Sequence, residues 1–452
     1  MPGQSPLIER GADRWADPEA VFLALDDGTR EVAWLDSGVH AESGMSLIGW
    51  PGPRARRRGA ASAGDAAPML AALGTAPPAR RSVGLLPAWV GWFSHEFGSA
   101  LLGLGAASGD AALAEAVLVE RAVVFDHGTR TVRVVARAGD EEWVEATLAV
   151  LDASPAEASG PPDLTGPPDL TDPRDLTGHL EISRAHDDAA YLALVRACQA
   201  RIAAGDAYQL CLTEQWSAPR PADPVAVYRR LRRLAPSHHG GLLRLGGREL
   251  LSASPERFVE VRAGGVAVTR PMKGTRPRGA DPATDAALAA ELVASDKERA
   301  ENLMIVDLVR NDLSKVSALG SVTVDELFAV ESYRTVHQLV STVTGRLAPG
   351  FTAVDAFAAL FPAGSMTGAP KRRAVELLAE LEGVARGAYA GAFGYFAADG
   401  TADFATTIRT IVVDAERATF GTGGGITASS DPEAELAEMK LKAAALIEAL
   451  GG

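Results

Sequence analysis

Cysteine is almost absent from this 452-residue chain, which contains only Cys198 and Cys211. The two residues form no Cys-x-x-Cys pair and do not lie near a histidine cluster. This argues against both a disulfide framework and a cysteine zinc site. We therefore expect both to be buried, small apolar residues.

Positive charge is also in short supply, because 44 basic residues oppose 58 acidic ones and leave a formal net charge of −14. A chain this acidic is repelled by a phosphate backbone, which argues against nucleic acid as a partner. No uncharged apolar run approaches the ~18 residues of a membrane helix, and the N-terminus lacks a basic start followed by an apolar stretch. We expect a cytoplasmic protein without a membrane segment.

Lysine is rare as well, since it accounts for six of the 44 basic residues and does not occur before position 273. A primary amine can act as a nucleophile and a guanidinium cannot, so each lysine in such an arginine-rich chain raises a functional question. For Lys297 and Lys315, codon bias with chance placement is the simpler explanation.

Strand and helix patterns follow one another without regular alternation, which predicts an α+β fold. Residues 20–35 are interpreted as two strands around an Asp-Asp-Gly-Thr turn, and residues 115–136 as a second hairpin. A long helix is predicted from about Asp285 to Leu313.

Proline-rich repeats between residues 154 and 179 predict a linker with too few apolar groups to fold alone. The linker separates an N-terminal region, residues 1–153, from a second region, residues 180–452.

The segment VTRPMKGTRPRG places Lys273 at the end of a predicted strand, directly before Gly274. Glycine lets a backbone approach a ligand closely. Partial desolvation in a cleft would lower the pKa of the amine and make it a better nucleophile or base. The alternative is a lysine on a surface turn.

Two predicted helices each carry a pair of glutamates three residues apart, Glu298 with Glu301 and Glu435 with Glu438. This spacing puts both carboxylates of a pair on one helix face. Either pair alone is typical of an exposed helix face. Two such helices could instead meet around Mg²⁺, which prefers oxygen ligands.

Glycine-rich stretches at 361–382 and 421–435 precede helices and expose backbone N–H groups that attract anions. The first lacks P-loop spacing and has Arg372 where Ser or Thr would bind magnesium, so we do not expect a nucleotide. With Arg409 offering a bidentate guanidinium, a small dicarboxylate is a better ligand. His337 lies in a strand-like segment, where a structural core histidine is the simpler interpretation.

Seven motifs together resemble the chorismate-using enzymes, the family of anthranilate synthase component I. They are SASPERF, TRPMKGT, DKERAENLMIVDLVRND, VHQLVST, FPAGSMTGAPK, TTIRT and GGGITASSDPEAE, in the family's order and spacing from about 185 to 450, with weaker matches at 35–38 and 84–98. The resemblance implies a large intertwined α+β fold of two stacked antiparallel β-sheets flanked by helices, with the active site in the cleft between its halves. It also makes 1–153 an N-terminal component I-like region and 180–452 the chorismate-binding catalytic region.

Two positions distinguish branches of this family. Members resembling aminodeoxychorismate synthase carry Pro-Ile-Lys-Gly-Thr where this chain has Pro-Met-Lys-Gly-Thr, whereas those resembling anthranilate synthase have a small residue in place of Lys273. Members that attack the ring with water carry a lysine base where this chain has Gln209, and glutamine cannot deprotonate water.

The resemblance therefore implies formation of 4-amino-4-deoxychorismate from chorismate and ammonia, on the p-aminobenzoate branch of folate synthesis. An anthranilate synthase component I or an isochorismate-type synthase is the enzymatic alternative. A chorismate- or tryptophan-binding module without activity is the alternative from another class.

Motif by motif, the resemblance implies that Glu256 is the general acid, Lys273 the covalent nucleophile and His337 a residue that orients the ring. It implies a Mg²⁺ site formed by Glu298, Glu301, Glu435 and Glu438. It implies substrate contacts from Gly274, Thr275, Tyr389, Arg409, Gly423, Gly424, Gly425 and Lys442.

Neither cysteine lies on a Gly-x-Cys-x-Gly turn, so the sequence offers no glutaminase nucleophile. A separate glutamine amidotransferase subunit is therefore the expected source of ammonia.

Overall fold

A computed structural model of the protein describes residues 7–39, 41–52, 56–74, 86–105, 112–156, 181–333 and 336–451. Most of the predicted linker, residues 157–179, lies outside these ranges. The helices are α1 (Pro18–Leu25), α2 (Ala66–Gly74), α3 (His95–Leu101), α4 (Glu141–Ala153), α5 (Asp188–Ala203), α6 (Pro224–Leu234), α7 (Pro282–Ala294), α8 (Asp296–Ser314), α9 (Ala353–Leu360), α10 (Lys371–Glu382) and α11 (Pro432–Gly451). Within the described ranges, no helix has the length and apolar character needed to cross a membrane.

Strands form the centre of the molecule. They are β1 (Leu7–Gly11), β2 (Val32–Asp36), β3 (Met45–Pro51), β4 (Arg57–Ala60), β5 (Ala88–Phe93), β6 (Ala114–Asp126), β7 (Thr131–Arg137), β8 (Ser183–Arg184), β9 (Gln209–Pro219), β10 (His239–Leu245), β11 (Arg248–Ser254), β12 (Arg257–Arg262), β13 (Val266–Thr269), β14 (Met272–Pro277), β15 (Thr323–Ser332), β16 (Val336–Arg346), β17 (Gly368–Ala369), β18 (Ala392–Ala397), β19 (Ala402–Thr406), β20 (Thr410–Val413) and β21 (Arg417–Ile426). Strand pairing in the described ranges is antiparallel throughout.

The pairings define two sheets that share the long strand β6. The first sheet runs in the order β1-β7-β6-β3-β2-β10-β11-β20-β21-β9. The second runs in the order β6-β5-β18-β19-β12-β13-β16, with β14 and β15 also paired to β16. β6 joins both because its first half pairs with β5 and its second half with β3.

An apolar layer between the two sheets includes Val90 of β5, Leu243 of β10 and Phe393 of β18. A Cβ at Gly241 would lie 2.8 Å from the Phe393 ring, so the glycine lets the sheets approach closely. The outer face of the first sheet packs under α5, α6, α10 and α11, and that of the second packs under α2, α8 and α9. The predicted α+β fold of two stacked antiparallel sheets is therefore confirmed.

Strands from the two predicted regions lie side by side within each sheet. β2 pairs with β10, and β5 pairs with β18, so each sheet contains strands from before and after the predicted linker. The division of the chain at residues 154–179 stays a prediction.

The interpretation of residues 20–35 as a hairpin was wrong, because α1 occupies its first part. The Asp17 side chain accepts a hydrogen bond from the Ala20 N–H at 2.9 Å, and Pro18 stands at the first helical position. The apolar run is short enough to form either a helix or a strand, and this capping arrangement favours the helix.

The long helix predicted from Asp285 to Leu313 is two helices. They divide at Ser295, whose hydroxyl accepts a hydrogen bond from the Glu298 N–H at 3.4 Å and caps α8. The predicted hairpin at 115–136 corresponds to β6 and β7, and both cysteines are buried free thiols, as expected.

Candidate active site

Lys273 lies on β14 beside the glycine-rich end of β21. A Cβ at Gly425 would lie 3.2 Å from Lys273 Nζ and 2.2 Å from Gln209 Nε2. The glycine therefore leaves room for an amine and an amide on the same side of the strand. Gln209 itself is buried, and its Oε1 atom has no hydrogen-bond partner in the described part of the chain.

The expectation that burial lowers the pKa of Lys273 was wrong. Burial does oppose the charge on the amine, but nearby acidic groups outweigh it and hold the pKa above its ordinary value. These groups are Cys211, Glu301, Glu256 and Glu438. In the ligand-free protein Lys273 is therefore an ammonium at neutral pH.

Glu256 follows β11 and lies in an apolar pocket with Phe258, Ile305 and Val309. Its side chain is only 6% exposed, and the Ser365 hydroxyl donates a hydrogen bond to Oε1 at 2.6 Å. Burial raises the pKa of the carboxyl to about 7, although the Ser365 hydrogen bond and the charge on Lys273 both oppose the rise. A carboxyl of this kind can give and take a proton at neutral pH.

The two predicted glutamate pairs approach one another from α8 and α11. A Cβ at Gly274 would lie 2.9 Å from Glu298 Oε2, and a Cβ at Gly424 would lie 2.7 Å from Glu435 Oε2. Both glycines thus leave space for a carboxylate, and Gly274 also needs the flexibility of glycine because its φ is +82°.

Each of the four carboxylates faces a basic side chain. The closest N to O distances are 3.6 Å from Arg276 to Glu298, 3.9 Å from Lys297 to Glu301, 3.8 Å from Lys297 to Glu435, and 2.7 Å from Lys442 to Glu438.

These residues fit a magnesium ion by their chemistry, since every donor is a carboxylate oxygen. In the ranges that the structure describes, however, no three acidic, histidine or cysteine side chains are arranged closely enough to hold a metal. The carboxylates would therefore have to leave their basic partners and converge to bind one.

Arg409 has the unusual backbone φ of +48° and a side chain that lacks any ion pair within the described residues. Burial alone lowers the pKa of its guanidinium, which remains charged at neutral pH. Tyr389 is 5% exposed, and a Cβ at Gly421 would lie 2.2 Å from its ring. An unpaired guanidinium can donate two hydrogen bonds to a ligand carboxylate.

Other predicted site residues have protein partners in this structure. Lys442 donates a hydrogen bond to the Gly423 carbonyl at 2.8 Å, while Thr275 is exposed on β14. The His337 ring bonds to Asp285 at 2.9 Å and to Ser332 at 2.8 Å, and no side-chain hydrogen bond among the described residues joins it to Lys273 or Glu256.

Sequence reasoning missed two residues of this site. Ser365 lies in the quoted FPAGSMTGAPK motif, but its bond to Glu256 joins positions 109 residues apart. Lys297 was attributed to chance, although its i,i+4 spacing to Glu301 is a readable signal.

Comparison with known proteins gives a family and several relatives. Residues 52–448 match the model of the chorismate binding enzyme family. An aminodeoxychorismate synthase of Streptomyces griseus is 43% identical over 80% of this chain and 50% of its own length. Anthranilate synthase component 1 of Thermus thermophilus is 42% identical over 75% of this chain and 72% of its own length.

The solved structure of anthranilate synthase component I from Streptococcus pneumoniae superposes with a TM-score of 0.74 at 28% identity. The match covers 97% of this chain and 100% of that one. The chain spans about half the length of the Streptomyces griseus relative.

Proposed function

This chain belongs to the chorismate-binding enzyme family, and on that premise we propose that it converts chorismate and ammonia to 4-amino-4-deoxychorismate. One observation carries the proposal. Lys273 and Gln209 lie together at Gly425, so the site offers an amine that can attack the ring and lacks a lysine base that could activate water.

The first step forms a bond between Lys273 Nζ and ring C2 while the bond from C4 to its hydroxyl oxygen breaks. Glu256 gives its proton to that oxygen, which leaves as water. The attacking amine must be neutral and the acid must be protonated. Transfer of one proton from the Lys273 ammonium to the Glu256 carboxylate produces this neutral amine and protonated acid. The pKa of about 7 at Glu256 favours this transfer, because it makes the carboxylate a stronger base than an ordinary glutamate.

In the second step ammonia bonds to C4 and the bond between C2 and Lys273 breaks. After the first step Glu256 is a carboxylate and accepts the extra proton of the secondary amine. It returns this proton to Lys273 as the amine leaves, and then accepts one from the new C4 ammonium. Atoms and protons balance, and the net reaction exchanges the hydroxyl for an amino group with release of water.

Substrate binding is assigned to groups around this centre. The unpaired Arg409 guanidinium and Tyr389 would hold the enolpyruvyl carboxylate, with Gly274, Thr275 and the Gly423–Gly425 strand lining the pocket. Glu298, Glu301, Glu435 and Glu438 would hold Mg²⁺. When bound, the ion would neutralise the carboxylate on the ring.

Ammonia is proposed to come from a glutamine amidotransferase subunit. Cys198 and Cys211 are both buried, and burial raises the pKa of each thiol, so neither suits a glutaminase nucleophile. Both are free thiols, which is typical of a reducing compartment and supports the cytoplasm as the place of action.

An anthranilate synthase is the second candidate, because relatives of that name match at similar identity. Lys273 argues against it, since an amine held at C2 excludes the incoming nitrogen from the position that anthranilate formation requires.

The test of the proposal is intact-protein mass spectrometry after acid quench with chorismate and Mg²⁺ in the absence of ammonia. We expect a mass gain of chorismate less one water, mapped to Lys273. Lys273→Ala and Lys273→Arg should lose the adduct and most turnover, since a guanidinium stays protonated. As a matched control, Lys315→Ala should keep both.

Product analysis with ammonium salt completes the test. Anthranilate or isochorismate as the product would refute the proposed reaction. A Lys273→Ala variant that makes the 4-amino product at the wild-type rate, with no adduct on the wild type, would refute the covalent step.

A further inference from the structure

Lys297 connects the two helices of the proposed magnesium site. It lies near the start of α8, and its Nζ is 3.9 Å from Glu301 of the same helix and 3.8 Å from Glu435 of α11. Among the described basic side chains at this site, it is the one that lies within 4 Å of carboxylates of both helices.

The two carboxylates that Lys297 faces are buried, whereas its own side chain is half exposed. Glu301 is 8% and Glu435 is 5% exposed, while the lysine side chain is 52% exposed. Buried carboxylates without a compensating cation are costly. In the metal-free protein, the Lys297 ammonium lies within 4 Å of both carboxylates, while the Lys273 ammonium also stabilises the charge on Glu301.

The geometry is that of a displaceable cation. Both N to O distances exceed hydrogen-bond length, and the long exposed stem can move the ammonium into solvent. Lys371 provides the contrast, because it is buried and forms an ion pair with Asp312 at 2.6 Å as part of the core.

We propose that Lys297 is a tethered cation that neutralises the proposed magnesium site in the metal-free protein and must leave when a divalent ion binds. It therefore lowers the affinity of the site for metal and holds α8 to α11 until the ion takes over that role. The proposal rests on the magnesium site of the proposed function.

The test measures metal binding directly, by titrating the protein with Mn²⁺ and following free Mn²⁺ by electron paramagnetic resonance, with and without chorismate. Lys297→Met should tighten Mn²⁺ binding roughly tenfold, because two weak ion pairs no longer compete. Lys297→Arg should stay near wild type. Lys315→Met is the matched control, since Lys315 is 57% exposed but pairs with Asp312 far along α8, and it should leave Mn²⁺ affinity unchanged.

Thermal unfolding gives a second readout. In EDTA, Lys297→Met should melt below the wild type because the bridge between helices is lost. Saturating Mn²⁺ should then raise its melting temperature more than it raises that of the wild type.

An ordinary structural salt bridge would lower the melting temperature equally in both conditions and leave Mn²⁺ affinity unchanged, which would overturn the proposal. If the wild type shows no Mn²⁺ binding that depends on Glu435, tested with Glu435→Gln, the magnesium site itself is wrong and this role falls with it.

Discussion

Replacing Glu256 by glutamine should destroy activity and, at alkaline pH, make the protein more stable. The substituted amide keeps the shape of the side chain and can still accept the Ser365 hydrogen bond, but it can neither donate nor accept a catalytic proton. Loss of such a group costs ~10²–10⁴ in rate. The gain in stability follows because the apolar pocket disfavours the ionised carboxylate, which the amide replaces with a neutral group.

The size of the gain follows from the shift in pKa. Burial raises the pKa of Glu256 from 4.5 to about 7, so between these values the folded state binds a proton that the unfolded state has lost. The free energy of unfolding therefore falls as pH rises through this interval. The 2.5-unit difference corresponds to a loss of about 3 kcal/mol in the free energy of unfolding. This loss is complete above pH ~7 and does not occur below pH ~4.5.

The assay is urea unfolding of wild type and Glu256→Gln at a series of pH values from 4 to ~8.5. The difference in unfolding free energy should be small at the acid end, grow between pH ~4.5 and ~7, and stay near 3 kcal/mol above. Glu416→Gln, at a side chain 81% exposed, controls for the loss of one negative charge and should show no such trend. A difference that is independent of pH would refute the apolar-pocket account of Glu256.

Three further outcomes are expected. Glu301→Gln should abolish Mg²⁺-dependent turnover, since it removes one hard ligand; unchanged magnesium kinetics would remove this residue from the site. The purified chain should use ammonium salts and not glutamine, with glutamine becoming a substrate when an amidotransferase subunit is added; glutamine-dependent turnover by the chain alone would contradict this. Gly425→Ala should lower kcat with little loss of thermal stability, because the new Cβ would lie 3.2 Å from Lys273 Nζ and 2.2 Å from Gln209 Nε2. Wild-type kinetics in this variant would show that the two side chains do not both lie against Gly425.

The α+β class and single hairpins could be predicted from local strand patterns, whereas the two stacked sheets were predicted through the resemblance to a known family. The β6–β7 hairpin is one example, with its turn residues between two apolar strands. The segment at 20–25 failed because a short apolar run suits a helix as well as a strand. Its Asp17-Pro18 start was the signal that could have decided it.

The chemistry of the site was harder to predict because it depends on tertiary neighbours. The pKa of Lys273 is raised by Cys211 and by three glutamates, which lie far apart in the sequence and meet only after folding. The same holds for the contact of Lys297 with Glu435, which no spacing in the sequence announces. The sequence shows which ionisable groups are present, whereas the electrostatic interactions between them depend on distances that the fold determines.

The pairing of β2 with β10 and of β5 with β18 also determines when this protein can fold during its synthesis. Trp34 pairs with Leu242, and Phe93 pairs with Ala392, so each early strand waits for a partner made some 208 or 299 residues later. At about 5–20 residues per second, the ribosome takes roughly 10 to 60 s to supply these partners. Throughout that interval β2 and β5 can pair with β3 and β6, but the edges that later pair with β10 and β18 stay open, and unpaired strand edges of this kind favour aggregation.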